Sequence, residues 1–369
     1  MKLTPFIVIS LVIVIMLLSG CVPKEQTIKI GVIGSLTGNL AAQGTSQVNA
    51  VRMAVDELNA GWQGKKIELI VEDTANDPKK AATAAQKLIE VDGVVALLTD
   101  STTMTMTVAP IAEQKKIPVM AYMSTSPEVT RAGDYVFRTS PSNLDGMNSL
   151  AELAFKKNGY RKVGILSEMV DYPQAVKKVF IASFASLGGV MVADEVFESS
   201  SSDVRTQLLK IKESSPDAIL VLSQSPGTGA MVLRQIKENK MDLPILSNEG
   251  VANAESIKLA GDAAEGVIFT VPDFDPSKEK SAVFVQKFKG KYSDPPTWIY
   301  AAAAYDAMRI IAEAVDDVGT NGEKIKNQLY AIKDREGAIG RIGFDANGDP
   351  KMAFATMVIK GGKIVKYTD

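Results

Sequence analysis

The stretch Ile28-Lys29-Ile30-Gly31-Val32-Ile33-Gly34-Ser35-Leu36-Thr37-Gly38 indicates the fold class of this chain. It predicts an apolar strand from Ile28 to Ile33, followed by a loop of small and polar residues. Four apolar residues beyond that loop follow the i, i+3, i+4, i+7 spacing of a helix with one buried face: Val51, Ala54, Val55 and Leu58. A strand, a polar loop and an amphipathic helix in this order are typical of a parallel sheet covered by helices.

The same alternation continues along the chain. Further strands are predicted at 67–71, 94–98, 117–122, 163–166, 191–197, 218–222 and 243–247, with helices between them and a long helix from about 298 to 315. Turn-rich breaks at 138–144 and 272–276 divide the alternation into sets. Without its N-terminal segment the body has roughly 345 residues, more than a single core usually supports. The sequence therefore predicts two α/β lobes, each a doubly wound parallel sheet.

The first 21 residues predict export and lipid attachment. Lys2 precedes a mainly apolar run from Phe6 to Leu18, and its 13 residues are too few to span a hydrocarbon core of ~30 Å but suit an export signal. Leu18-Ser19-Gly20-Cys21 resembles a lipobox, which would make Cys21, the only cysteine, the lipidated first residue of the mature chain. Residues 22–27 form a short polar tether. An uncleaved anchor with an incidental cysteine is the alternative, and both interpretations place the body outside the cytoplasm at a membrane surface.

Composition excludes several classes of function. The net charge of −2 argues against a nucleic-acid partner, which would need a concentrated basic surface. The chain has no histidine and, once Cys21 is lipidated, no free thiol, so Ser-His-Asp, Cys-His and zinc chemistry are excluded. We expect no metal and no cofactor. A carboxylate- or lysine-based enzyme stays open, but binding is favoured.

Polar loops at predicted strand ends are the candidate binding sites, because ligands of open α/β sheets lie beyond the carboxyl ends of the strands. Thr99-Asp100-Ser101-Thr102-Thr103 could hold a carboxylate with hydroxyls and amides, or its hydroxyls could only cap the next helix. Met123-Ser124-Thr125-Ser126-Pro127 is similar. Ser247-Asn248-Glu249-Gly250 places a carboxylate at a strand end, where it would suit a cationic group or be an ordinary surface glutamate.

Two further motif matches are rejected. The segment 345–349 begins like a calcium loop, but Pro350 stands where glycine is required and Thr356 where the final glutamate belongs, so a hairpin turn is predicted. The segment 34–38 lacks both the Gly-Lys-Ser/Thr of a phosphate loop and the Gly-x-Gly-x-x-Gly spacing. Neither segment therefore supports a metal or nucleotide site.

Several blocks, in order over residues 28–360, together resemble the leucine/isoleucine/valine-binding branch of the type I periplasmic-binding proteins. These blocks are Ile30–Gly38, Asp77–Lys79, Ile117–Val119 continuing to Ser126–Glu128, Asn248–Val251, Gly261–Gly266 and Tyr300–Ala307. The resemblance implies a Venus-flytrap fold, in which two lobes are joined by three hinge crossings around a ligand cleft. It assigns residues 28–141 and 273–352 to lobe one, and residues 142–272 and 353–369 to lobe two.

The resemblance also implies which residues bind the ligand. The family's hydroxyl positions fall on Thr102 and Thr125, its backbone position on Met123 and its lobe-two acid on Glu249, while Tyr172 resembles a cleft-lining aromatic. The chain departs from the family pattern at four positions. Thr102 replaces a serine, Gln43 stands where an aromatic often flanks the ligand, Ser225 takes the place of a tyrosine clamp, and Asn76 stands where some relatives have a disulfide cysteine.

These observations predict an extracytoplasmic, lipid-anchored solute-binding protein of an ABC importer, not an enzyme. Its partners would be an amino acid, aliphatic or branched-chain, the permease subunits of the transporter and the membrane through Cys21, and the protein would be a monomer. One alternative is a ligand-sensing module that binds an amide, urea-like or carboxylate solute for a receptor or regulator. Another is an exported hydrolase that uses a pair of carboxylates.

Overall fold

The computed structural model describes residues 26–62 and 65–368. The helices are α1 (Ala41–Gly61), α2 (Pro78–Gln86), α3 (Thr102–Lys115), α4 (Leu144–Glu152), α5 (Asp171–Ser186), α6 (Arg205–Glu213), α7 (Pro226–Glu238), α8 (Ala254–Ala260), α9 (Glu279–Lys289), α10 (Trp298–Val318) and α11 (Gly322–Ala331). The strands are β1 (Gln26–Gly34), β2 (Lys65–Asp73), β3 (Ala96–Thr99), β4 (Val119–Ala121), β5 (Val136–Arg138), β6 (Lys162–Glu168), β7 (Val190–Phe197), β8 (Ala218–Leu222), β9 (Ile245–Ser247), β10 (Ile268–Pro272), β11 (Arg335–Gly337), β12 (Gly340–Ile342), β13 (Phe354–Lys360) and β14 (Lys363–Lys366).

The N-terminal predictions lie mostly outside this range. The signal segment, Cys21 and residues 22–25 of the tether are not among the described residues. Gln26 and Thr27 belong to β1 rather than to the tether, because they pair with the first residues of β2, Lys65 and Lys66. Within the described ranges, no helix is long and apolar enough to cross a membrane.

The first lobe is built on a five-stranded parallel sheet in the order β2-β1-β3-β4-β5. Successive side chains of β1 point to opposite faces of this sheet. Val32 packs in the core formed with α1 and α10, while Ile33 packs in the core formed with α2 and α3. Both faces are therefore covered, which explains why β1 is apolar over most of its length.

The second lobe is built on a seven-stranded sheet in the order β14-β13-β10-β9-β8-β6-β7. Strands β6 to β10 are parallel, as predicted, and α4 with α5 cover one face while α6, α7 and α8 cover the other. The last two strands differ from the prediction, because β13 runs antiparallel to β10 and β14 antiparallel to β13. Gly361 and Gly362, both with positive φ, make the tight turn between β13 and β14.

The chain passes between the two lobes three times. It leaves the first sheet after β5, returns after β10 to form α9, α10 and α11 against the first lobe, and enters the second sheet again at β13. This architecture agrees with the predicted two-lobe fold. The exact lobe limits stay a prediction.

Arg138 joins two of these crossings. Its side chain is fully buried, and its Nε and Nη2 donate to the two carboxylate oxygens of Asp349 at 2.6 and 2.7 Å. Its Nη1 donates to the carbonyl oxygens of Ser124 and Ser126 at 3.1 and 2.8 Å. Asp349 ends the turn that begins at Asp345, whose N–H donates to the Asp349 carbonyl at 3.0 Å, so the hairpin predicted there is confirmed.

Candidate functional site

A cavity lies where strand ends of the two lobes face each other, with a volume of about 380 Å³ that includes its solvent-open mouth. Its lining residues are Gln43, Ser101, Thr102, Met123, Thr125, Tyr172, Gln224, Glu249, Gly250 and Tyr300. The five residues predicted to bind a ligand, Thr102, Met123, Thr125, Tyr172 and Glu249, are thus brought together. They come from both lobes, as a cleft requires.

The N-terminus of α3 forms one wall of the cavity. The Ser101 side chain caps the helix by accepting from the Met104 N–H at 3.3 Å, and it donates to the Asn76 side chain at 2.7 Å. Thr102 is the first helical residue. Ser101 therefore caps the helix, while Thr102 lines the cavity, and the binding of a carboxylate by this loop stays a prediction. The first N–H groups of a helix lack intrahelical acceptors and favour a negative group.

The loop after β4 forms the adjacent wall of the cavity, and the side chains of Gln47 and Arg138 bind it from outside the lining. The Met123 sulfur accepts from the Gln47 side chain at 2.9 Å. Arg138 binds the carbonyls on both sides of Thr125. Because a buried guanidinium fixes these two carbonyls, the Thr125 hydroxyl has a defined position in the cavity.

Glu249 links the two lobes across the cavity. Its Oε1 accepts hydrogen bonds from the hydroxyls of Tyr172 at 2.7 Å, Tyr300 at 3.0 Å and Thr125 at 3.3 Å. Its Oε2 accepts from the Asn143 amide at 3.1 Å. Thr125 and Tyr300 belong to the first lobe, Tyr172 to the second, and Asn143 to the first crossing. One carboxylate thus gathers donors from every part of the molecule that surrounds the cavity.

The two tyrosines are fixed as hydrogen-bond donors. Burial raises the pKa of Tyr172 well above its usual range near 10, and the negative charge of Glu249 raises it further. The same two causes raise the pKa of Tyr300. Both hydroxyls therefore keep their protons at neutral pH and present them to the Glu249 carboxylate.

The charge distribution of the cavity suits a zwitterion. Glu249 is the sole formally charged residue in the lining, and all donors to it are uncharged. A carboxylate surrounded by neutral donors can accept a cationic group. The opposite wall offers the start of α3 and the Thr102 hydroxyl to an anionic group. Within the described ranges, no group of acidic, histidine or cysteine side chains could hold a metal ion.

Part of this lining is not predicted by the sequence. Tyr300 lies in a block that supports the family resemblance, but its position as the third residue of α10 gives no sign that its hydroxyl enters the cavity. The tyrosine-clamp position was placed on Ser225, whereas Ser225 caps α7 by accepting from the Thr228 N–H at 3.4 Å. Gln224, one residue earlier, lines the cavity instead.

The chain matches one family model and is similar to several known proteins over most of its length. The family model described as "Periplasmic binding protein" matches residues 27–363. The leucine-, isoleucine-, valine-, threonine- and alanine-binding protein of Pseudomonas aeruginosa is 29% identical over 335 residues, which are 88% of each chain.

Three solved structures are also similar to this chain. The leucine binding protein LivK of Thermotoga maritima has 29% identity and a TM-score of 0.86, covering 92% of this chain and 98% of that one. The branched-chain amino acid transporter substrate binding protein LivJ of Streptococcus pneumoniae, in complex with isoleucine, has 28% identity and a TM-score of 0.83, with the same coverage of both chains. An ABC transporter solute binding protein of Rhodopseudomonas palustris, in complex with 3,4-dihydroxybenzoic acid, has 25% identity and a TM-score of 0.80, covering 92% and 95%.

Proposed function

The chain belongs to the periplasmic binding protein family, and we propose that it is the extracytoplasmic solute-binding component of an ABC importer and binds an amino acid. The names of the Pseudomonas, Thermotoga and Streptococcus relatives support both the transport role and the amino acid. They include branched-chain amino acids, the solute expected from the resemblance, and for the Pseudomonas relative also threonine, so they support an amino acid without fixing its side chain. We further propose that Cys21 is lipidated and holds the monomeric protein at the membrane beside the permease subunits.

The observation that carries the amino-acid proposal is the Glu249 carboxylate in a cavity whose lining has no basic side chain. An α-ammonium group would give this carboxylate a charged partner, and charge-assisted hydrogen bonds contribute more than neutral ones. An aromatic acid such as the ligand of the Rhodopseudomonas relative would instead bring a second negative charge into the cavity. The lining therefore favours a zwitterion over a simple anion.

Binding would close the two lobes. We place residues 28–141 and 273–352 in lobe one and residues 142–272 and 353–369 in lobe two. A ligand whose carboxylate is held at Thr102 and whose ammonium is held at Glu249 contacts both lobes, so it binds the closed form more tightly than the open form. The permease subunits could then recognise the closed form through surfaces on both lobes.

The test combines ligand identification with two cavity variants. Native mass spectrometry of the purified protein reads the mass of a retained solute, and calorimetry with that solute compares the variants. Glu249→Gln removes the countercharge, so we expect a loss of about 1.5 to 3 kcal/mol in binding free energy, or roughly ten- to hundredfold in Kd. Thr102→Ala removes a single neutral hydroxyl and should cost about 0.5 to 1.5 kcal/mol.

Glu198→Gln is the matched control, because Glu198 is exposed and lies outside the cavity. It should leave the Kd unchanged. An unchanged Kd for Glu249→Gln would show that the solute presents no ammonium there and would contradict the amino-acid proposal. Recovery of the solute in chemically altered form, with product accumulating over time, would instead support a hydrolase.

A further inference from the structure

Two glutamine amides line this cavity, one from each lobe. Gln43 comes from the first turn of α1 in the first lobe, and Gln224 comes from the loop after β8 in the second. Resting on the proposed function, we infer that the solute is an amino acid with an uncharged polar side chain, an amide or a hydroxyl, which these two glutamines select over its aliphatic isostere.

Gln224 offers a hydrogen-bonding group that nothing else in the described residues satisfies. Its side-chain oxygen is fully shielded from solvent and has no hydrogen-bond partner. Buried polar groups of folded proteins are nearly always paired, so an unpaired oxygen at the edge of a binding cavity indicates a donor supplied by a ligand.

The buried Glu168 side chain fixes the loop that carries Gln224 through hydrogen bonds. Glu168 is 2% exposed, and its Oε2 accepts from the Gln224 N–H at 2.8 Å and from the Ser223 hydroxyl at 2.8 Å. The Thr228 hydroxyl donates to the same oxygen at 3.1 Å. Because a buried carboxylate fixes the backbone here, the Gln224 side chain starts from a defined position at the cavity.

Gln43 offers a second amide from the opposite lobe. It is 7% exposed, and within the described ranges its side chain makes no hydrogen bond, since it is the Gln43 carbonyl that accepts from Ser46 at 2.7 Å. Gln47, one turn later, donates to the Met123 sulfur, and its side-chain oxygen is also buried without a partner. Gln47 is not part of the cavity lining, so Gln43 is the amide that the first lobe presents to the ligand.

These amides disfavour an aliphatic solute. A leucine side chain pressed against Gln43 and Gln224 would leave their polar atoms buried and unpaired, whereas an asparagine side chain of similar shape would pair with them. The cost of leaving a polar group unpaired translates into a preference of about ten- to hundredfold in Kd for the polar isostere. A side-chain carboxylate would add its charge to that of Glu249, and a side-chain cation would find no second acid in the lining.

Two isosteric ligand pairs test this inference: threonine against valine, and asparagine against leucine. Each pair has the same α-groups and nearly the same shape. The Kd of the aliphatic ligand divided by the Kd of its polar isostere therefore isolates the side-chain contribution. Calorimetry on the wild-type protein should show tighter binding of at least one polar member, by about tenfold or more. In the Gln43→Leu, Gln224→Leu double variant this ratio should fall below one.

Gln207→Leu is the control, because Gln207 lies on α6 outside the cavity and should leave the ratio unchanged. Tighter binding of leucine and valine than of their polar isosteres by the wild-type protein would overturn the inference and leave the proposed function intact. An equal loss for all four ligands in the double variant, with the ratio preserved, would also overturn it, because the amides would then bind the α-groups. Failure of every amino acid to bind would overturn the proposed function itself.

Discussion

Replacement of Arg138 by methionine should destabilise the protein strongly, although the residue lies outside the cavity. The variant keeps an apolar stem of similar length and removes the guanidinium. The hydrogen bonds that are lost include two to the Asp349 carboxylate and two to the carbonyls of Ser124 and Ser126. Because Arg138 is fully buried and the Asp349 side chain is only 12% exposed, water cannot readily replace the missing donors.

The expected loss is about 3 to 5 kcal/mol of unfolding free energy, the usual result of removing one partner from a buried ion pair. With a urea m-value of about 2 to 3 kcal/mol/M, this lowers the unfolding midpoint by roughly 1 to 2 M. Arg205 is the matched control, because it also pairs with two acids, Asp203 and Glu238, but is 53% exposed. Solvent screens such pairs, so Arg205→Met should hardly move the midpoint.

Tryptophan fluorescence is a suitable assay, because both tryptophans of the chain, Trp62 and Trp298, pack against the core of the first lobe. Circular dichroism measured in parallel follows both lobes. The reasoning is refuted if Arg138→Met shifts the midpoint no more than Arg205→Met does. A loss of the same size in Asp349→Leu, and no further loss in the double variant, would show that the two residues act as one unit.

Three further outcomes are expected. Cys21→Ser should release the protein from membranes without changing its ligand affinity, and unchanged detergent partitioning and mature mass would contradict lipidation at Cys21. Gly250→Ala should weaken ligand binding in calorimetry, because its Cβ would lie 1.9 Å from the Ser223 carbonyl oxygen, whereas Gly227→Ala, with open space around it, should not. Burial raises the pKa of Asp100 above 3.8, so the folded protein binds this proton more tightly than the unfolded chain does. The resulting contribution to the unfolding free energy is complete below pH 3.8 and is lost as the pH rises through the pKa of the folded state. Asp100→Asn should therefore reduce the slope of the unfolding free energy against pH between pH 4 and 7. An unchanged slope would contradict a raised pKa for Asp100.

The fold was largely predictable from the sequence, because periodicity reports directly on burial. β1 is buried on both faces, so its apolar run and the helix spacing that follows predict a parallel sheet without further information. The reversal at β13 could not be predicted in this way. Its direction follows from where the chain returns after α11, a property of the tertiary path, and antiparallel pairing leaves no distinct pattern in a strand of seven residues.

The candidate site was predictable in part. Thr102 follows a strand of the first sheet and Glu249 a strand of the second, and ligands of open α/β sheets lie beyond the carboxyl ends of the strands, so each residue could be predicted as a candidate by its position. Their meeting in one cleft was expected only from the family resemblance, because the two sheets are separate. Tyr300 enters from a helix, and Gln224 differs from Ser225 by a single position in a loop. Loop residues have no fixed period, so whether Gln224 or Ser225 faces the cavity depends on the buried Glu168 carboxylate, which a local pattern cannot reveal.

The hydrogen bonds of Glu249 suggest how charge recognition and lobe closure are coupled. A carboxylate accepts about four hydrogen bonds, and Tyr172, Tyr300, Thr125 and Asn143 already supply four. Oε1 accepts three of these bonds and Oε2 only one, so an entering ammonium group can donate to the open position on Oε2. Of the three donors to Oε1, the Thr125 hydroxyl, at 3.3 Å, makes the longest contact and is the one most easily released. We expect Thr125 to turn from Glu249 to the carboxylate of the amino acid. One direct contact between the lobes would thereby become one that runs through the ligand, while the Tyr300 contact to Glu249 persists. A solute without an ammonium group would gain less from closure.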